Sequence, residues 1–164
     1  VTKSGKTLQN LKSGKIVGWR ETVGLPDLNI ALLRAKIDSG ARTSALHAEH
    51  QERFEREGVE WVRFRFPSAR RTQDRILEAP IFDEREIKNT GGTPERRIII
   101  RTTLLLGVHR TRIDVSLADR KNMEFDLILG RTAIRELRLL IHPGRSFLLG
   151  EPRQKAKKTI SAST

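Results

Sequence analysis

The stretch Val59-Glu60-Trp61-Val62-Arg63-Phe64-Arg65-Phe66 sets the terms for the whole chain. Val62, Phe64 and Phe66 fall on one side of an extended backbone and Arg63 and Arg65 on the other, the period-two signature of a half-buried strand, and Pro67 ends it. Shorter segments of the same kind recur along the chain. Ile16–Val23 predicts a strand, Leu25-Pro26-Asp27 a turn, and Ile30–Ile37 a second strand that runs into Asp38. Thr43–Ala48, His109–Leu117 and Phe125–Gly130 read as further strands. Ile76–Ile87 and Arg96–Leu106 flank Lys88-Asn89-Thr90-Gly91-Gly92-Thr93-Pro94-Glu95, which predicts a long hairpin with a glycine tip. Gln51–Gly58 is charged and predicts one helical turn or a connector, and Ser68–Asp74 a basic loop. Only Arg131–Leu137 has an amphipathic helical pattern; Leu139–Ile141 and Ser146–Leu149 predict two short closing strands around His142-Pro143-Gly144. Many short strands with one late helix point to a mainly β, barrel-like domain.

A chain of 164 residues can bury one proper core. Residues 16–150 are expected to form it, between flexible basic tails at 1–15 and 151–164. Lys3, Lys6, Lys12 and Lys15 charge the first tail; Arg153, Lys155, Lys157 and Lys158 outweigh Glu151 in the second. With a net charge of +12, the chain calls for an acidic partner. Tyr is absent and aromatic residues make up 5%, which disfavours a base-stacking platform, so nucleic acid is expected only through the tails. The absence of Cys excludes disulfides, thiol nucleophiles and thiolate metal sites. The longest apolar runs are triplets such as Ile98–Ile100, and the first residues do not resemble a secretory signal. No membrane association and a cytoplasmic location are expected.

The chemistry concentrates at Asp38-Ser39-Gly40, where a carboxylate stands at the end of a strand beside a hydroxyl and a glycine. Taken alone, such a tripeptide is a corner whose Asp satisfies backbone N–H groups. Downstream, in order, follow the glycine-tipped hairpin and Ile128-Leu129-Gly130-Arg131, which opens the helix. This succession resembles the retropepsin-like aspartic peptidases, where D-[ST]-G-A, a flap and I-[IL]-G-R occur in that order in one half-barrel. Trp19-Arg20-Glu21, Leu25-Pro26, the run Lys36–Ala48 and Leu127–Arg131 sharpen the match. They are similar to the RimB-like bacterial family encoded beside the RimK-type ribosomal-protein glutamate ligase and often labelled "ATP-dependent zinc protease". The resemblance covers about residues 16–149.

The resemblance implies a retropepsin-like half-barrel with a flap hairpin and one short helix. It also implies an endopeptidase needing two facing aspartates, one as general base on water and one as proton donor to the scissile carbonyl. Like charges so close cannot both ionise. One D-[ST]-G cannot supply both, so the resemblance implies a homodimer with Asp38 facing its symmetry mate. Ser39, Gly40 and Ala41 would complete the catalytic loop, Gly130 would allow close packing behind it, and Gly91 and Gly92 would let the flap close. Viral retropepsins carry an Asp where this chain has Arg42, paired with the arginine matching Arg131. Here both positions are basic, and with Arg96 and Arg97 on the flap arm they favour an acidic or glutamate-extended peptide, as in a modified ribosomal protein. The competing reading pairs Arg42 and Arg131 with Asp126 or Glu136.

No cofactor is expected. A zinc-dependent peptidase is the first alternative; it would need a third ligand beside His47 and His50, which share a face only on a helix. Ser4-Gly5-Lys6-Thr7 imitates the end of a phosphate-binding loop but has no strand before it. The second alternative is a non-catalytic binding module on the same fold, docking to the ribosome or to acidic partners.

Overall fold

The computed structural model describes residues 13–67, 75–89, 91–120 and 124–153. The basic loop expected at 68–74, most of both basic tails and Thr90 of the hairpin tip lie outside the described residues. The strands are β1 (Ile16–Leu25), β2 (Ile30–Ile37), β3 (Ser44–His47), β4 (Glu49–Arg56), β5 (Val59–Phe66), β6 (Arg75–Pro80), β7 (Asp83–Lys88), β8 (Pro94–Leu106), β9 (His109–Ala118), β10 (Leu127–Leu129) and β11 (Leu140–Ser146). The helix α1 (Arg131–Glu136) follows β10 directly. Eight strands form one sheet in the order β11-β1-β2-β10-β3-β9-β8-β7, and β1 also pairs with β8, which curls the sheet towards a barrel. β4, β5 and β6 form a separate three-stranded sheet.

The alternation in β5 turns Val62, Phe64 and Phe66 inward with Leu77 and Ala79 of β6, and these five join the same hydrophobic core as Leu28, Ile98, Ile100, Leu127 and Leu129. The outward face carries Phe54 and Trp61, 6.3 Å apart, with Arg56 4.5 Å above the Trp61 ring and Arg63 4.7 Å above that of Phe54. Ionic pairs Arg56–Glu78 and Arg63–Glu78 cross the same face.

Three elements differ from the sequence expectation. The segment expected as a helical turn or connector is strand β4, because Glu57 and Gly58 both take positive φ (52° and 77°) and fold the chain back so that Phe54 pairs with Trp61. The first arm of the expected hairpin is two strands. Pro80 ends β6; the Ile81 and Phe82 N–H groups then donate to Glu60 and Ile99 carbonyls and hand the chain from one sheet to the other. Of these two strands only β7 pairs with β8. Finally, β11 is one continuous strand parallel to β1, with its Pro143 tolerated at the edge of the sheet.

Gly18 explains how β1 accepts β11. A Cβ there would lie 2.2 Å from the Arg145 carbonyl oxygen, at a register shift between Gly18 and Arg20. Beside it Glu21 is fully buried. Its Oε2 accepts the N–H groups of Gly18 and Leu148, and its Oε1 that of Leu149, each at 2.9 Å. Ser13–Lys15 form a turn held against the body: Lys15 Nζ donates to the Leu137 carbonyl at 2.8 Å, and His109 Nε2 to that of Gly14 at 2.6 Å.

Candidate functional site

Asp38 occupies a corner that exists because β10 inserts between two strands consecutive in sequence. β2 ends at Ile37, the chain turns through 38–43 and leaves as β3; β10 lies between them, parallel to β2 and antiparallel to β3. The corner is stitched to the β10–α1 junction through the backbone. Asp38 N donates to Leu129 O (2.9 Å), Arg131 N to Ala41 O (2.8 Å) and Thr132 N to Arg42 O (3.1 Å). Buried Ser44 accepts the Gly130 N–H on its Oγ at 3.0 Å. Gly130 itself leaves no room for a side chain, since a Cβ would stand 2.7 Å from the Thr43 carbonyl carbon and 3.0 Å from Ala41 O.

Within the corner, Asp38 Oδ1 accepts the Gly40 N–H at 2.9 Å, which fixes the carboxylate by its own turn. Oδ2 faces Lys36 Nζ at 4.0 Å, and the side chain keeps 28% of its surface open to solvent. A carboxylate with one oxygen anchored and the other accessible can bind and orient a water or another polar group. Ser39, Gly40 and Arg42 are exposed beside it, and Ala41 is half-buried. Arg131 Nη1 reaches back across the corner to the Ser39 carbonyl at 2.8 Å. Among the described residues neither Arg42 nor Arg131 pairs with Asp126 or Glu136, so the local-acid reading of these arginines fails.

The hairpin tip is an Asn-led turn. Asn89 Oδ1 accepts the N–H groups of Gly91 and Thr93 at 3.0 Å, and Gly92 takes φ 77°. On the hairpin arm, Arg96 is exposed and bound to Glu84 through Nε and Nη2, while Arg97 is buried and bound to Glu95 through the same two nitrogens. Both arginines therefore already hold a carboxylate of their own hairpin. Asn89, Gly91 and Gly92 stand apart from the corner in sequence, and the register places Arg96 and Arg97 opposite Glu86 and Arg85 on β7.

His47 is buried at the far end of β3. Its Nδ1 accepts the backbone N–H of Arg120 at 3.1 Å, so the ring proton is on Nε2 and is donated to Glu49 Oε1 at 3.1 Å. Glu49 in turn binds Arg65, whose guanidinium holds the carboxyl below its usual range against a smaller effect of burial. With both ring nitrogens committed, His47 has none to offer a metal, and His50 is exposed at positive φ. Among the described residues no three His, Asp or Glu side chains gather in a way that could hold a metal ion. Beside His47, burial pushes the Asp126 carboxyl up, with the imidazole opposing.

The fold brings one further cation to this region that the sequence did not signal. Arg120 follows β9 in the polar run Ala118-Asp119-Arg120, whose composition marks only a loop. Its placement depends on pairing between His47 and Ala118, residues far apart in the chain. Among the described residues no helix is long and apolar enough to cross a membrane.

Comparison with known proteins gives this corner a family. Residues 16–152 match the RimB-like family, described as "Retropepsin-like aspartic endopeptidase RimB". Two relatives carry the name "Probable alpha-L-glutamate ligase". The one from Desulfotalea psychrophila is 39% identical over 139 residues, 84% of this chain, and the one from Shewanella halifaxensis 36% identical over 138 residues, 83% of this chain. The chain spans 30% of the length of each. A crystal structure of a Legionella pneumophila protein of unknown function superposes with a TM-score of 0.71 at 30% identity, covering 82% of this chain and 97% of that one. A one-sided Asp-Ser-Gly corner locked by a Leu-Gly-Arg junction, in a mainly β fold with a hairpin flap, thus has its explanation in descent: the chain belongs to the RimB-like family of retropepsin-like aspartic endopeptidases.

Proposed function

We propose that the chain is an aspartic endopeptidase that cuts acidic, glutamate-extended protein segments as a homodimer, using Asp38 of each subunit. The observation that carries this reading is the Asp38 corner, with Oδ1 pinned by Gly40 and Oδ2 open, in a chain that supplies only one Asp-Ser-Gly. In the dimer one Asp38 carboxylate takes a proton from water as its oxygen attacks the scissile carbonyl carbon. The other, protonated, donates to the carbonyl oxygen. Collapse of the resulting diol breaks the C–N bond, and the leaving nitrogen takes up the proton held by the first carboxylate. One diol hydroxyl returns its proton to the second, which leaves an amine, a carboxylic acid and the dyad in its starting state. The flap arm β7–β8, turning at Gly91 and Gly92, covers the cleft and excludes water.

Charge and kinship support the substrate class. Arg42 is exposed beside Asp38 without a carboxylate partner among the described residues, Arg131 holds only a carbonyl, and guanidinium forks suit carboxylates. Relatives named as glutamate ligases contain a matching segment, which fits a role in trimming what such an enzyme adds, including tails on a ribosomal protein.

The test is cleavage of a glutamate-tailed peptide by wild type, Asp38→Ala and Asp38→Asn, each with and without a chelator. Both variants are expected to lose activity by roughly 10³-fold or more, and the chelator to change nothing. Cleavage that survives loss of Asp38, or that the chelator abolishes, would overturn the aspartic mechanism. Tight peptide binding without cleavage in any sample would establish a binding module instead.

A further inference from the structure

Of the cations around Asp38, Arg42 is unpaired but exposed to water, whereas Arg120 is partly buried and unpaired among the described residues, so its situation calls most for a ligand. Arg96 and Arg97 are bound to Glu84 and Glu95, and Lys36 lies against Asp38 itself. Arg120 is only half-exposed, yet among the described residues no carboxylate or carbonyl pairs with its guanidinium. A sheltered guanidinium without a partner is costly, and a bound carboxylate removes that cost.

Its position is built by the fold. Parallel pairing aligns His47 with Ala118, the Ala48 N–H donates to the Ala118 carbonyl at 3.0 Å, and His47 Nδ1 accepts the Arg120 N–H. The His47–Glu49–Arg65 chain thereby anchors the Arg120 backbone from behind. On the other side, the β8–β9 register ends at Ile99 opposite Ser116, so the flap arm that carries Glu95 and Arg97 parts from β9 just before the chain reaches Arg120. Arg120 therefore follows β9 beside the base of the flap arm, within electrostatic reach of Arg97, Glu95 and Asp38. The charges it feels agree: burial and the Arg97 cation lower its pKa, while Glu95 and Asp38 pull the other way.

We propose that Arg120 is a specificity-determining residue whose guanidinium binds a glutamate side chain of the substrate held against Asp38. This rests on the peptidase reading above for its substrate but not for its binding chemistry. Arg97, tied to Glu95 through Nε and Nη2, is then a structural cation that keeps Glu95 from neutralising Arg120.

The experiment compares a glutamate-tailed peptide with its glutamine twin on wild type, Arg120→Ala and Arg120→Lys. Arg120→Ala is expected to raise KM for the glutamate peptide roughly 10- to 100-fold, with kcat little changed and the twin unaffected. Arg120→Lys should recover part of the loss. An unchanged glutamate-to-glutamine preference in Arg120→Ala, or an equal loss on both peptides, would overturn the proposal and leave the peptidase standing. A second arm measures binding of the uncleaved glutamate peptide to Asp38→Asn with and without Arg120→Ala. If wild type cuts neither peptide, the peptidase reading falls alone. Weaker binding in the double variant would then uphold Arg120, and equal or absent binding would overturn it.

Discussion

Glu21 is the most consequential side chain outside the Asp38 corner. A carboxylate at a strand position with no exposure would be costly alone, but three backbone N–H groups converge on it and replace its hydration. Two of them belong to Leu148 and Leu149, so this one residue ties β1 to the segment after β11. Glutamine cannot substitute. Oε2 accepts two N–H groups and Oε1 a third, so an amide NH2 at either position must face a donor. Glu21→Gln is expected to cost about 3 kcal/mol of stability, as buried donors lose their acceptor. Urea denaturation of the two proteins measures it, and an unchanged midpoint would remove Glu21 from this role. Glu21 was legible in the sequence only as part of the Trp-Arg-Glu motif; its use as an acceptor was not, because two of its three partners lie 127 and 128 residues away.

Among the elements, those whose pattern is local were readable and those set by distant pairing were not. β5 declares itself through Val62, Phe64 and Phe66, and α1 through its amphipathic spacing after Gly130. β4 does not: its residues Glu49–Arg56 are mostly charged and exposed, and it is extended because β5 offers it an edge and Glu57-Gly58 turns it back. The same holds within the site. Asp38 and the Gly130 junction are contiguous motifs, whereas Arg120 reaches the region through a parallel pairing invisible in a linear reading. The β10–α1 junction carries a prediction of its own. In Gly130→Ala the added methyl meets backbone atoms of Thr43 and Ala41 at 2.7–3.0 Å, so the corner must move. A loss of about 1–3 kcal/mol is expected, with a fall in kcat beyond what the folded fraction explains. Thermal melting together with single-turnover kinetics separates the two, and normal kcat in the folded variant would show that the corner tolerates the shift.

For the molecule as a whole, the eight-stranded sheet ends in β11 at one edge and in the flap strand β7 at the other. β11 is short and largely exposed, and Pro143 and Gly144 interrupt its ladder, features that discourage indiscriminate edge pairing. If the working enzyme is a dimer sharing two Asp38 residues, its specific activity must fall on dilution through the dissociation constant. Velocity at the lowest concentrations should then follow the square of protein concentration. Activity per chain that stays constant from micromolar to nanomolar, with sedimentation showing a monomer, would exclude the shared dyad.

The insertion of β10 between β2 and β3 has a consequence in time as well as in space. Ser39 and the Arg131 side chain that braces its carbonyl are 92 residues apart, and the bonds of Asp38, Ala41 and Arg42 to Leu129, Arg131 and Thr132 span similar lengths. As the chain is synthesised, the aspartate leaves the ribosome long before the strand that must slide in beside it. A nascent chain therefore carries Asp38 on an unsupported loop. The corner sets only once Leu129, Arg131 and Thr132 have emerged to meet it, so the geometry around Asp38 forms late in synthesis.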